Sequence, residues 1–305
     1  MMSQFKNSII IKQLSWLPYN CFIFINKKNV SSKLKIDLSK IGIKRNFELN
    51  IHNQDKGLAT HLLAFGFREP IHFRYYYNFI SRNDVVLDIG ANIGLFTLLS
   101  ENAKKIISIE PQTDLIPILR KNIKENNLLQ KVKIINKAVG KSNSELILLI
   151  AESMNLSRIV TKEFYNENPQ LKYNIIDTYS LPQLTERFKI NSVRLDVEGY
   201  EFEILYNQIP KSIEKIDIEL HVELLGEKKV IQLLKYFEKE NFLISFLIED
   251  LPLRLYPFFN YLTKTNLLSK FIYIKKNINP IESKKYLMNG RNIKYLLLTR
   301  KKNKC

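Results

Sequence analysis

From Asp84 onward, short runs of apolar residues alternate with longer segments in which apolar residues recur every three or four positions. Runs of the first kind suit strands buried on both faces, and the second suit helices packed by one face. Their alternation predicts a parallel α/β sheet. The predicted strands are Val85–Ile89, Lys105–Ile109, Val132–Asn136, Ser192–Asp196, Lys215–Leu220 and Phe242–Leu247. Helices are predicted at Gly94–Asn102, Asp114–Asn126, Tyr200–Gln208 and Glu227–Asn241, the last with Val230, Leu233, Leu234 and Phe237 at helical spacing. A hairpin of Glu145–Ala151 with Tyr173–Asp177 interrupts the alternation, and Ile293–Thr299 reads as a final strand. Before Asp84 the rhythm differs. Cys21–Asn26, Lys33–Leu38 and Phe47–Ile51 read as short strands separated by turn-prone residues, and Leu58–Phe65 and Ile71–Ser81 as helices divided by Gly66 and Pro70. The chain thus divides into a β-rich extension (1–65), an α/β core (66–250) and a C-terminal segment (251–305) that includes the last core strand.

Composition narrows the class. The chain has 305 residues of which 45% are hydrophobic, enough for a core and incompatible with a disordered chain. Cys21 and Cys305 are the only cysteines, so neither a disulfide framework nor a cysteine-based zinc site can be built, and a reducing cytoplasm fits. No run approaches the roughly 18 apolar residues of a spanning helix, and no secretory leader is expected from the first residues.

Charge is more discriminating. The net charge of +17 is unevenly spread: residues 1–65 carry ten Lys/Arg against three Asp/Glu, and residues 251–305 carry 13 against one, while the middle is near neutral. Basic flanks on a neutral core suggest an anionic partner such as a membrane surface, an acidic glycan or nucleic acid, or serve solubility alone. Between Leu251 and Lys276, aromatics from Tyr256 to Tyr273 are interleaved with Arg254, Lys264, Lys270, Lys275 and Lys276. That mixture suits a peripheral membrane contact, or a lid packed on the core.

The most informative stretch is Val85–Gly94, VVLDIGANIG. A buried strand ends in an acid, and two glycines separated by three residues open a helix. Ligands of open α/β sheets bind beyond such strand ends, where glycine lets the backbone turn and approach closely. A dinucleotide calls for G-x-G-x-x-G around its pyrophosphate, and Asp88 would repel that group. The same carboxylate favours a sulfonium and an ammonium. The second strand ends in Ile109-Glu110-Pro111, where an acid can accept both hydroxyls of a ribose. Together these features favour S-adenosylmethionine over NAD as cofactor.

The motifs VVLDIGANIG, IEP at 109–111, KAVG at 137–140 and above all VRLDVEGYEFEIL at 193–205 resemble the FkbM family of class I S-adenosylmethionine-dependent methyltransferases. Asp196, Glu198, Gly199 and Glu201 match its D-V-E-G-x-E signature. The resemblance covers about residues 47–250. It implies a Rossmann-like sheet of seven strands in the order 3-2-1-4-5-7-6, the seventh antiparallel, beside the small β-rich extension. It also implies cofactor contacts from Asp88, Gly90, Ala91, Asn92, Gly94, Glu110, Ala138 and Asp196. The usual acceptors of the family are hydroxyl groups on sugars, glycolipids and natural products.

Transfer to a hydroxyl needs the nucleophile aligned and its proton taken up. Asp196 ends the fourth strand, Glu198 follows two residues later in the same loop, and His221 closes the fifth, so these three are the candidate catalytic residues. Their ligand types also suit a metal, although none is expected. Glu201 and Glu203 read as carboxylates favouring a helix N-terminus, Glu219 shares the edge of His221, and His52, His61 and His72 are assigned no catalytic role. No Asn/Asp-Pro-Pro-Tyr/Phe or Pro-Cys motif follows the fourth strand, which argues against amino methylation of bases and cytosine C5 chemistry. An O-methyltransferase acting on a saccharide or glycan acceptor is the leading expectation. An RNA methyltransferase that grips phosphates through its flanks, and a non-catalytic binding protein, are the alternatives.

Overall fold

The computed structural model of the chain describes residues 33–51, 62, 65–140, 144–151, 156–288 and 295–301. The predicted strand Cys21–Asn26 and most of the predicted helix Leu58–Phe65 lie outside the described residues.

A hairpin of β1 (Lys33–Asp37) and β2 (Asn46–Asn50) comes first, then α1 (Pro70–Phe79). The alternating core follows with β3 (Val85–Ile89), α2 (Leu95–Leu99), β4 (Lys105–Ile109), α3 (Ile116–Glu125) and β5 (Val132–Ile135). The interruption consists of β6 (Ala138–Gly140), β7 (Glu145–Leu149), β8 (Arg158–Val160), α4 (Lys162–Glu167) and β9 (Tyr173–Ser180). The core resumes with α5 (Leu181–Phe188), β10 (Ser192–Leu195), α6 (Glu201–Leu205), β11 (Lys215–Glu219), α7 (Val222–Lys239) and β12 (Phe242–Glu249). The chain closes with α8 (Phe259–Lys264), β13 (Tyr273–Ile278), α9 (Pro280–Leu287) and β14 (Tyr295–Arg300).

The main sheet runs β13-β12-β14-β11-β10-β3-β4-β5. Strands β11, β10, β3, β4 and β5 are mutually parallel, and β14 lies antiparallel between β11 and β12. This sheet has eight strands where seven were expected. The extra edge strand, β13, comes from the segment whose aromatic and lysine content suggested a lid. Its alternation explains the difference: Tyr273 and Lys275 share one face with Tyr286, Lys276 lies over Phe246 on the other, and the exposed lysines blunt the free edge. The hairpin predicted at 145–177 is part of a second sheet of four strands, β6-β9-β7-β8.

Helices cover the main sheet on both sides, as a parallel sheet requires. One core gathers Phe73 and Tyr76 of α1, Leu98 of α2 and Leu119 of α3 with Val86 and Ile106; the other packs Leu184, Ile204, Leu233 and Phe237 against Leu87, Ile89, Ile107 and Ile109. Phe47 and Leu49 of the hairpin belong to the first core, and so do Leu251, Tyr256, Phe259 and Leu262. The apolar residues of the C-terminal segment are therefore largely interior packing. Among the described residues no helix is long and apolar enough to cross a membrane.

Local signals fix several starts. Helix α5 has a capping box in which Ser180 and Gln183 satisfy each other's backbone N–H, with Pro182 in its first turn. Helix α1 is capped from far away: the Asp250 carboxylate accepts from the N–H of Ile71 and His72, at 3.1 and 2.8 Å. A negative group there also suits the helix dipole.

A polar row crosses the apolar sheet. Register places Ser108, Asp88, Arg194 and Asp217 side by side on β4, β3, β10 and β11. His72 stacks on Tyr295 with ring centroids 4.0 Å apart and holds Asp217 Oδ1 at 2.9 Å through Nε2, all buried. Burial alone would lower the imidazole pKa, but Asp217 and Glu69 raise it to about 10, so the pair is ionic at neutral pH. Removing one partner of such a pair strands the other charge. His72→Phe is expected to lower unfolding free energy by about 3–5 kcal/mol in a denaturant titration. Because the native pKa lies above the reference value of 6.5, the His72 contribution is complete below about pH 6.5 and disappears as pH rises to about 10. In the variant that part of the pH dependence should be missing.

Candidate functional site

A cleft opens beyond the carboxyl ends of β3, β4 and β10. Gly90, Ala91, Asn92, Glu110, Ala138, Asp196 and Glu198 line it. The glycine loop is shaped by its neighbours as much as by any ligand. Gly90 has φ of 79°, and a Cβ there would stand 2.0 Å from the carbonyl oxygen of Asp196, so the ends of β3 and β10 touch only because residue 90 lacks a side chain. Gly94 faces Leu119 rather than the cleft; its hypothetical Cβ would lie 2.6 Å from Cδ1 of that leucine.

Asp88 was expected to face the cofactor. It is instead fully buried beneath the cleft floor, accepting from Thr97 Oγ1 at 2.6 Å with Arg194 Nη1 3.6 Å away. Burial raises its pKa, while Arg194 and Thr97 work against that. Its side chain organises the residues that line the cleft without itself lining it.

Glu110 sits where the second strand was expected to offer an acid. Its two carboxylate oxygens accept from the backbone N–H of Asn92 and Gln112, each at 2.8 Å, which locks its orientation at the cleft wall. Burial pushes its pKa up to about 7 against the pull of those N–H groups. Each oxygen keeps a further lone pair, so the locked carboxylate can still receive two vicinal hydroxyls.

Asp196 Oδ2 accepts from Arg194 Nη2 at 2.9 Å. Arg194 is 5% exposed, and its guanidinium lies 4.0 Å from the centroid of the Phe96 ring. Glu198 follows in a left-handed conformation, φ 50°, just before Gly199, a strained turn of the kind that clusters at functional sites. Its Oε2 lies 3.2 Å from Nε2 of His221. His221 itself stands behind the cleft wall, and its Nδ1 is held at 2.6 Å by Oε1 of Glu201, whose side chain is fully buried. Burial would lower the pKa of His221, but Glu201, Asp196 and Glu219 raise it to about 9. Glu219 is pushed up to about 8 by burial and by the charges of Asp196 and Glu69.

The structure thus brings Asp196, Glu198 and His221 to one corner of the cleft. It also adds residues the sequence reading passed over or misjudged. Glu201 does start a helix, but it serves as the buried partner of His221 and not only as a dipole charge. Glu203 is a structural anion paired with Lys229 at 2.7 Å. Arg194 carried a visible signal, an arginine inside an otherwise apolar strand. Asp196, Glu219 and His221 each offer a ligand atom within 4.8 Å of the others, a set that differs by Glu219 for Glu198 from the trio considered from sequence. Arg194 already supplies positive charge to Asp196 there.

The fold is that of a Rossmann-like methyltransferase, and the family match establishes S-adenosylmethionine as its cofactor. The profile described as the Methyltransferase FkbM domain matches residues 88–247, just over half of the chain, and the chain belongs to that family. Curated relatives match over shorter stretches. A tRNA (guanine(37)-N(1))-methyltransferase of Methanocaldococcus jannaschii is 45% identical over 53 residues, 17% of this chain and 16% of that protein. A ribosomal RNA small subunit methyltransferase A of Clostridium botulinum is 32% identical over 107 residues, 35% of this chain and 37% of that protein. The chain therefore spans well under half the length of these two relatives. Among solved structures, a methyltransferase FkbM from Methylobacillus flagellatus superposes with a TM-score of 0.33 at 14% identity, covering 59% of this chain and 47% of that one.

Glu110→Ala is expected to weaken binding of S-adenosylhomocysteine by about 100-fold or more in calorimetry, the scale of two lost hydrogen bonds to an ionised group. Wild-type affinity in that variant would show that the ribose does not rest on Glu110.

Proposed function

We propose that the protein methylates a hydroxyl group of a saccharide or related glycan acceptor, with Glu198 facing the acceptor and His221 taking up its proton. The observation that carries this reading is the chain Glu201–His221–Glu198, in which a buried carboxylate fixes one imidazole nitrogen and turns the other toward a carboxylate at the cleft wall. A proton acceptor oriented by a third group is the arrangement that base-assisted attack requires. Bound S-adenosylmethionine supplies an electrophilic methyl group and so carries the intrinsic difficulty of the reaction. The protein's share is positioning and proton transfer. Asp196, fixed by Arg194, presents negative charge to the cationic end of the cofactor, while Glu198 orients the hydroxyl. The proton leaving that hydroxyl passes to Glu198 and across the 3.2 Å contact to Nε2 of His221, so the pair begins without a proton and ends as carboxylate and imidazolium.

A second reading, methylation of RNA, draws on the names of the two curated relatives and on the net charge of +17. Assays with a panel of hydroxylated glycans, tRNA and ribosomal RNA transcripts separate the two. Methyl transfer to RNA alone would overturn the glycan reading.

The proton route sets the sign of the pH dependence. With the pKa of His221 near 9, the proton-free form of the pair is scarce at neutral pH. The kcat/KM is expected to rise about tenfold per pH unit below about 9 and level off above it. Glu201→Gln should move that limb toward acid, because the carboxylate that raises the imidazole pKa is gone. His221→Asn should remove the limb and cost about 10²–10⁴ in kcat. A flat profile in the wild-type enzyme between pH 6.5 and 9 would rule His221 out.

A further inference from the structure

The cleft contains a cation that the proton route does not use. Arg68 precedes α1 and lines the cleft beside Phe73 and Phe96. Its Nε donates to Oε1 of Glu69 at 2.6 Å, and among the described residues its terminal nitrogens have no partner. The guanidinium is thus anchored along one edge, with its remaining donors available.

The way it is anchored is unusual. Glu69 holds a left-handed conformation, φ 47° and ψ 56°, at the cap of α1. A residue with a side chain reaches that region at a cost of order 1 kcal/mol and keeps it only where its surroundings insist. Here they do: the Glu69 N–H donates to the hydroxyl of buried Tyr256 at 2.8 Å, its carbonyl receives the N–H of Phe73 at 2.9 Å, and its Oε2 lies 3.7 Å from Nδ1 of the charged His72. Glu69 is the positioning residue, tied into the buried Asp217–His72 pair, and Arg68 is what it positions.

The chemistry of the cleft says which ligand group would use this cation. Of its four lining acids Glu69 is paired with Arg68, and the others, Glu110, Asp196 and Glu198, suit hydroxyls and positive charge. The methionine end of the cofactor also carries a carboxylate, which needs a donor of opposite charge. Three arginines line the cleft. Arg194 is committed to Asp196 and Asp88. Arg158 follows Ser157, whose hydroxyl donates to Gln112 Oε1 at 3.0 Å, and so stands at the ribose end beside Glu110. Arg68 lies on the opposite flank with Phe73 and Phe96, next to the glycine loop. A guanidinium held at Nε offers its terminal groups in the fork that matches a carboxylate.

We propose that Arg68, positioned by Glu69, is the receptor for the carboxylate of the cofactor. The inference rests on the cofactor and not on the identity of the acceptor. It is tested by deleting the group from the ligand as well as from the protein. Calorimetry would compare S-adenosylhomocysteine with its decarboxylated counterpart, S-adenosyl-3-thiopropylamine, on wild type, Arg68→Met and Arg68→Lys. Wild type is expected to favour S-adenosylhomocysteine by about 30-fold or more, the scale of a charge-assisted pair. Arg68→Met should bind the two ligands within about threefold of each other while keeping its affinity for the decarboxylated one, and Arg68→Lys should fall between. Retained affinity for the decarboxylated ligand doubles as evidence that the variant is folded. No preference in the wild type overturns the proposal whatever the variants do. So does an equal loss for both ligands, which marks Arg68 as structural, and so does unchanged cofactor binding with a raised KM for the acceptor, which moves the guanidinium to the acceptor side.

Discussion

The site is built around a charge placed where a sheet ordinarily has none. Arg194 lies in the middle of the central strand, in register with Asp88 on one neighbour and Asp217 on the other. A buried guanidinium is stable there only because acids surround it, and the acids are stable only because of it. The Phe96 ring under its face adds a further favourable contact. From this centre the arrangement spreads in two directions. Upward, Arg194 fixes the carboxylate of Asp196 at the cleft and donates to the carbonyl of Gly90 at 3.2 Å, joining two loops of the cleft wall. Sideways, Asp217 receives His72, and His72 approaches Glu69, so the same network reaches the Arg68 flank of the cleft.

This arrangement leaves a surplus of acids in and behind the cleft wall. Glu219 and Glu110 are pushed up to about 8 and about 7, in both cases mainly by burial. Carboxylates so placed gain most from a positive charge that arrives with a ligand, because the cost of burying them is already met by the fold. That is preorganisation in the electrostatic sense: the field is in place before the ligand binds.

How much of this was legible in the sequence depended on whether the determinant was local. The strands of the core, the glycine loop, Glu110 and the Asp196–Glu198 turn are all set by neighbouring residues, and each was placed from pattern and spacing. The role of Asp88 was misjudged because its position at a strand end does not say whether the side chain points to the cleft or into the sheet; Arg194 and Thr97 decide that. The eighth strand was missed because Tyr273–Ile278 mixes aromatics with lysines, a composition shared by edge strands and surface lids. Arg68 and Glu69 gave no signal, since what matters about them is a backbone conformation enforced by Tyr256, 187 residues away.

That long-range contact also changes how the basic C-terminal segment should be regarded. Its charge and its packing serve different ends. Tyr256 holds the backbone of Glu69, and Phe259 and Leu262 fill the core shared with the N-terminal hairpin. Lys264, Lys270, Lys275 and Lys276 face outward. Removing the segment would free the Arg68 turn and take β14 from between β11 and β12, whatever its lysines do. Only replacement of the outward charges, with the inward face intact, isolates what the positive surface contributes.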